Sequence, residues 1–444
     1  MTLTVSDDYQ AFLAAKQARI EQAGPRIDAT DMHPLLHEWQ AEIVTWAVRT
    51  GRAAIWADTG LGKTFMQVEW LRHIVGSDGT GLIVAPLAVC LQTVREAATL
   101  GIEATYVRSD HGVRGPGIYV TNYEMVAHFD PTLLRGVVLD EASILKQSDG
   151  KTRTVLIRHF ESVPFRLACT ATPAPNDPEE LTNQAEFLGH MSRTHMLAAY
   201  FIHDDTGWRL KGHAREPMMR WMATWALAIR KPSDLGYDDA GYNLPGLNIE
   251  PHFIEVPIKA ADVDGQIPMF ATDLGGVGGR AAVRRTTLES RCLRAAELVK
   301  AEPDEPWLIW CGLNDEAEML ASLTGGFNIT GSMSPDDKAA ALLGFADGKH
   351  RIIITKPAIA SQGLNYQHCA RMVFVGLSDS YEQYYQAIRR CYRYGQRRVV
   401  DVHIVLSDIE GQIAVNVARK EREAAHITDQ LVRAMRHNRE GITA

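Results

Sequence analysis

The chain has 444 residues, 46% hydrophobic and 23% charged, with a formal net charge of −8; this exceeds what one core covers, predicts two or three domains, and excludes a protein coated in basic surface, so any nucleic-acid contact is confined to a groove. The longest apolar runs, such as LIVAPLAVCL at 82–91, fall short of a membrane span and the acidic N-terminus is unlike a signal peptide, so no membrane partner and a cytoplasmic location are expected. Six cysteines without a C-x-x-C pair and sixteen histidines without an H-E-x-x-H spacing exclude the usual zinc patterns and favour reduced, buried thiols.

In chain order, residues 6–23 predict a helix opened by Ser6 and closed by Gly24-Pro25, an N-terminal brace within an extension over 1–32. Short apolar runs then alternate with helical or polar stretches: AAIWA (53–57), GLIVAP (81–86), GIYVTNY (117–123), GVVLDE (136–141) and FRLACTATP (165–173). Such runs are the pattern of buried parallel strands, and they define a first lobe over 33–189. Residues 190–282, rich in Trp, Met and Arg and ending in turn-prone GYDDAGYNLPG and Gly-rich DLGGVGG (273–279), predict a helical insertion and linker. A second strand series, WLIWC (307–311), FNITG (327–331), RIIIT (351–355), RMVFVG (371–376) and VDVHIVL (400–406), marks a second lobe over 283–444. The predicted class is α/β: two tandem lobes of parallel sheet flanked by helices, with a helical insertion between them.

ADTGLGKT at 57–64 follows a strand and opens a helical stretch, the context in which backbone N–H groups cradle phosphates. Thr59, Gly60 and Gly62 build that loop, Lys63 reaches the β/γ-phosphates, and Thr64 holds Mg²⁺. The strict pattern has glycine where Ala57 stands. Asp140 and Glu141 close a strand, where one carboxylate coordinates Mg²⁺ and the other orients the attacking water of ATP. Some 320 residues beyond the loop, Gln386-Ala387-Ile388-Arg389-Arg390-Cys391-Tyr392-Arg393-Tyr394-Gly395-Gln396 supplies paired arginines. Arginines from a second lobe neutralise charge developing on a γ-phosphate and tie hydrolysis to lobe closure.

LHEWQ (36–40), ADTGLGKT, APLAV (85–89), TNYE (121–124), DEAS (140–143) and TATP (170–173) come in the order of superfamily-two helicases, DEAD/DEAH-like proteins with two RecA-like lobes. SQGLN (361–365) and QAIRRCYRYGQ (386–396) resemble the closing motifs of Swi/Snf-type DNA translocases, Q-x-x-x-R-x-x-R-x-G-Q, and the resemblance spans about 35–410. It implies that Gln40 reads adenine, Lys63 and Thr64 hold phosphate and Mg²⁺, Asp140 holds Mg²⁺ and Glu141 is the base. Arg390 and Arg393 would be arginine fingers, Gly363 and Gln386 would line the cleft, and Thr172 would couple it to DNA. Nucleic-acid candidates are Pro86, Thr121, Asn122, Thr172 and Lys356, acting on phosphates. Ser143 stands where many relatives have His, and Ala360-Ser361 and Ser378-Asp379-Ser380-Tyr381 also depart from the pattern.

The implied function is Mg²⁺-ATP-driven movement along double-stranded DNA, in a compact phage or bacterial version of the family. A strand-separating helicase on DNA or RNA, or a slow ATP-gated clamp, stands as the alternative. With no DNA-reading module in the sequence, a targeting protein or DNA structure is expected to direct it. Arg280, Arg284, Arg285, Arg291 and Arg294 read as an exposed linker helix rather than a second phosphate track. Trp208, Trp221 and Trp225 read as packing of the insertion onto the first lobe.

Overall fold

The computed structural model describes residues 22–146, 150–175, 177–205, 207–255, 285–360, 365–378, 380–407 and 411–440. The expected helix at 6–23 therefore lies almost wholly outside the described residues, as do Gly363, the 273–279 stretch, Arg280 and Arg284. The chain divides into two compact units, with boundaries at Asp239/Ala240 and again at Glu423/Ala424, so that the last residues belong to the first unit.

The first unit is built on a parallel sheet of β1 (Arg52–Ala57), β2 (Thr80–Ala85), β3 (Ala104–Tyr106), β4 (Gly117–Asn122), β5 (Gly136–Asp140), β6 (Phe165–Thr170) and β9 (Ala226–Ile229). Their order is β3-β4-β2-β5-β6-β1-β9. Every pairing is parallel. The central strands are buried along nearly their whole length, which explains why the sequence shows continuous Val, Ile, Leu and Ala rather than alternation. The helix Lys63–Val75 buries Met66, Trp70, Leu71 and Ile74. Where it packs on the sheet, glycine stands second in β2 and first in β5: a Cβ at Gly81 would stand 2.6 Å from Leu71 Cδ1, and one at Gly136 would stand 2.8 Å from Ile74 Cγ2.

The stretch expected as a helical insertion is mixed. It holds short helices (Arg193–Tyr200, Arg215–Met222), the antiparallel hairpin β7 (Phe201–Asp204) with β8 (Gly207–Leu210), and β9 itself, hydrogen-bonded to β1. The first lobe thus extends past residue 189, because Ala226-Leu227-Ala228-Ile229 covers the open edge of β1 and is buried throughout. Its alanines gave no β signal in the sequence. Trp225 is fully buried, meeting Trp56 edge-on at 5.8 Å and Trp221 at 5.4 Å, so these two tryptophans of the segment pack as expected, whereas Trp208 is more than a third exposed. The helix Gly411–Glu440 ends on this unit: Arg436 donates to the carbonyls of Asp234 and Ser233, and Arg230 pairs with Asp429.

The second unit carries a second parallel sheet of β10 (Leu247–Ile254), β11 (Trp307–Cys311), β12 (Phe327–Asn328), β13 (Ile352–Thr355), β14 (Arg371–Val375) and β15 (Val400–Ser407), in the order β10-β15-β14-β11-β13-β12. Its core joins Trp307, Ile309, Ile354, Val373 and Val405 to Cys292, Ala295 and Val299 of the helix Leu288–Ala301. Arg291 on that helix corrects the expectation of an exposed arginine row. It is fully buried, its Nη1 lies 2.8 Å from Glu316 Oε1, and its Nε donates to Thr287 Oγ1. Glu316 in turn accepts from the backbone N–H groups of Gly312 and Leu313. An arginine run read by charge alone misses this, because the paired carboxylate is 25 residues away in sequence. All six cysteines are buried and free, as their spacing indicated. Each unit is thus a parallel sheet flanked by helices, the α/β class that the strand runs predicted.

Candidate ATP site and helicase motifs

All strands of the first sheet run parallel, so β1, β2, β4, β5 and β6 deliver their C-terminal ends to one edge. Neighbouring strands lie about 4.8 Å apart. With β1 beside β6 and β6 beside β5, the loop after Ala57, Thr170 and Asp140 are therefore adjacent along that edge.

The phosphate-loop candidate leaves β1 and enters the helix Lys63–Val75 through two glycines of positive φ, Gly60 (86°) and Gly62 (71°). This turns the first N–H groups of the helix outward as a cradle for anions. Gly62 has a second reason to be glycine, since a Cβ there would fall 2.5 Å from Gln40 Nε2. Gln40 is buried; its Nε2 donates to the Leu61 carbonyl at 3.0 Å, and its Oε1 accepts from the His37 N–H at 2.9 Å. It therefore clamps the loop directly. Thr59 N–H donates to Asp58 Oδ1 at 2.6 Å, tightening the same turn.

Lys63 Nζ donates to the carbonyls of Ala57 (2.7 Å) and Asp58 (3.2 Å). Burial lowers its pKa, opposed by the charges of Glu141, Asp58 and Asp140, which place the ammonium among three carboxylates. Asp140 is buried, and its Oδ1 accepts from Gln67 Nε2 at 2.7 Å, while Tyr123 Oη donates to its backbone carbonyl. Thr64 stands in the first turn of the helix, next to Lys63. A hydroxyl and a carboxylate are hard oxygen donors of the kind Mg²⁺ takes, and Lys63 with the loop N–H groups suits the phosphates beside it.

Glu141 is the only described non-glycine residue with positive φ (58°). Such a conformation costs of order 1 kcal/mol in a non-glycine residue. Thr170 Oγ1 donates to Glu141 Oε2 at 3.3 Å and accepts the Thr172 N–H at 3.1 Å, so one hydroxyl joins the carboxylate to the TATP turn.

Two residues that the sequence reading passed over belong here. Gln67 lies one helical turn beyond Lys63, on the same face, a spacing that would have singled it out. Thr170 opens the TATP turn, and its link to Glu141 depends on a strand neighbour that the motif does not contain.

The nucleic-acid candidates of this lobe occupy the same strand-end edge. Pro86 caps the helix Leu87–Thr99. Thr121 is the fully buried penultimate residue of β4, and Asn122, which ends the strand, accepts from Tyr106 Oη while donating to Glu124. Thr172 is also buried. Lys356 is in the second unit, lining a cavity of about 200 Å³ with Trp310, Gly376, Ser378 and Gln383 at the C-terminal ends of β11 and β14.

In the second unit the helix Tyr381–Ile388 is capped by Ser380 Oγ, which accepts from the Gln383 N–H. It presents Gln386, and Arg390 folds back on it: Nε donates to the Gln386 carbonyl and Nη2 to Gln386 Oε1, both at 3.1 Å. Arg389 lies over the rings of Tyr385 (5.0 Å) and Tyr392 (5.3 Å). Arg393 is half-buried in the following turn, before Gly395 at φ 89°. Gln396 closes the motif structurally, donating to the carbonyls of Cys369 and Cys391 and accepting from the N–H groups of Arg397 and Arg398.

Residues 291–395 match the helicase conserved C-terminal domain. No curated protein matches the chain. Among solved structures it is similar to the Sulfolobus solfataricus SWI2/SNF2 ATPase core in complex with dsDNA, at 17% identity and a TM-score of 0.44, covering 91% of this chain and 96% of that one. The second unit thus carries a helicase conserved C-terminal domain over 291–395, and the first is a parallel α/β unit with the glycine turn and the Asp140-Glu141 pair at one sheet edge.

Proposed function

We propose that this protein is a DNA-dependent ATP hydrolase of Swi/Snf type, which uses Mg²⁺-ATP to move along double-stranded DNA. The observation that carries the reading is the Lys63, Asp140 and Glu141 group gathered at one sheet edge of the first unit beside the glycine turn; the second unit by itself carries Arg390 and Arg393 within its helicase conserved C-terminal domain. Loop N–H groups around Gly60 and Gly62 bind the phosphates, and Lys63 adds a positive charge to them. Thr64 and Asp140 would hold Mg²⁺, which would supply positive charge to the phosphate oxygens. Glu141, steadied by Thr170, takes the proton of the attacking water, and Arg390 and Arg393 offset the charge that develops on the γ-phosphate.

ATP turnover measured against increasing duplex DNA, single-stranded DNA and RNA, at two salt concentrations, tests this. Stimulation by duplex DNA, absent in Lys63→Ala, is expected. A duplex-stimulated enzyme that also displaces the third strand of a triplex moves along DNA, whereas one that does not is an ATP-gated clamp. Preference for single strands would instead indicate a strand-separating helicase. Arg390→Ala or Arg393→Ala should keep nucleotide binding while turnover falls by roughly 10³-fold or more, the scale for losing an arginine finger. Normal turnover in both variants would refute the role of the second lobe.

A further inference from the structure

β10 lies at the end of the second sheet and pairs in parallel with β15, with Glu250 directly opposite His403. Alternate residues of a strand share a face, so Glu250 and His252 project beside His403 on one side of the sheet. His252 Nε2 is 3.0 Å from His403 Nδ1. Glu250 reaches both, Oε2 at 3.5 Å from His403 Nδ1 and Oε1 at 3.9 Å from His252 Nε2. A tetrahedral ion with ligand bonds of about 2.0–2.1 Å requires its ligand atoms to lie about 3.3 Å apart. The three observed separations bracket that value without any backbone change.

The surroundings fit the same reading. Trp307 stacks on His403 at 5.8 Å and 27°, fixing its plane. Both imidazoles are largely buried, so their positions are held by packing. Glu250 is well exposed, so further coordination positions open to solvent. Arg294 opposes the reading most directly: its Nη2 is 3.4 Å from His252 Nδ1, while its Nη1 pairs with Glu297 at 3.0 Å. When Arg294 donates to His252, the two histidines form a simple hydrogen-bonded chain. Turned wholly to Glu297, the guanidinium frees Nδ1 to carry the proton that a ligating Nε2 requires.

We propose that Glu250, His252 and His403 form a site for one divalent transition-metal ion of the zinc class, fastening the edge strand β10 to β15. Two imidazoles and a carboxylate select such an ion over Mg²⁺ or Ca²⁺, which prefer all-oxygen shells. The site is separate from the ATP-binding residues and holds whichever motor reading proves right.

Metal-stripped, nucleotide-free full-length protein titrated with Zn²⁺ against a chromogenic chelator, and with Co²⁺ by visible absorption, tests it. Wild type should bind one equivalent more than Glu250→Gln or His403→Gln, with affinity at that site falling by at least roughly the 10- to 100-fold that disturbing an outer-shell partner costs. Arg294→Gln, which removes the competing cation, should tighten binding. Equal stoichiometry in wild type and in Glu250→Gln would overturn the site. Because Glu250 is exposed, that variant keeps the fold and decides the matter even if His403→Gln fails to fold.

Discussion

Replacing Thr170 by valine removes one hydroxyl while keeping the side chain's shape, and the two bonds it breaks have separable consequences. The bond to Glu141 Oε2 at 3.3 Å is a hydrogen bond to a charged acceptor, worth about 1.5–3 kcal/mol. At about 1.36 kcal/mol per tenfold in rate, losing a base positioned to that extent lowers kcat by roughly 10- to 150-fold. The bond accepted from the Thr172 N–H at 3.1 Å is buried, and an orphaned donor there costs about 1–3 kcal/mol of stability. Steady-state ATP turnover with saturating duplex DNA, set beside a urea unfolding curve, reads both numbers. The KM for ATP should change little, since Thr170 does not belong to the phosphate loop. A Thr170→Val protein that is folded and turns over within about twofold of wild type would show that Glu141 is positioned by something else, and the proposed role of the TATP turn would fall with it.

Gly62→Ala forces a side chain into the left-handed region at a cost of about 1–2 kcal/mol and drives Cβ into the Gln40 amide, so nucleotide affinity should drop in equilibrium binding with a fluorescent ATP analogue. Arg291→Met leaves Glu316 buried without its cation and should cost about 3–5 kcal/mol in denaturant unfolding, whereas Arg291→Met with Glu316→Gln should recover much of the loss; equal destabilisation by both would refute the ion pair's role. Burial pushes the Glu69 carboxyl up, but hydrogen bonds from Arg72, His73 and the His33 N–H outweigh it and hold its pKa at about 2. A depressed carboxylate contributes stability that is fully present above its unfolded pKa and is lost as pH falls through the folded one, so the thermal midpoint should decline between about pH 4 and pH 2, and Glu69→Gln should flatten that decline.

What the sequence determined by itself was local and periodic. Continuous apolar runs bounded by turns identified the buried parallel strands, because a strand covered on both faces has no polar residue to interleave. The same logic located the turn between β1 and the helix Lys63–Val75, since a tight turn between a strand and a helix needs glycine at positive φ, and Gly60 and Gly62 stand there. Asp140 and Glu141 were legible as a strand terminus for the same reason. Distance along the chain hid the rest. β9 is short and alanine-rich, and only the unfilled edge of β1 makes it a strand. Arg291 looked like part of a charged surface until Glu316, on another helix, was brought to it. Gln67 and Thr170 act through Asp140 and Glu141, partners supplied by other strands and helices of the sheet. The grouping of Glu250 and His252 with His403 depends on the register of two strands separated by about 150 residues. Propensity and pattern act over a few residues and so are written in the sequence, whereas buried charge pairing and shared faces arise only when the sheets assemble, and tertiary structure alone decided them.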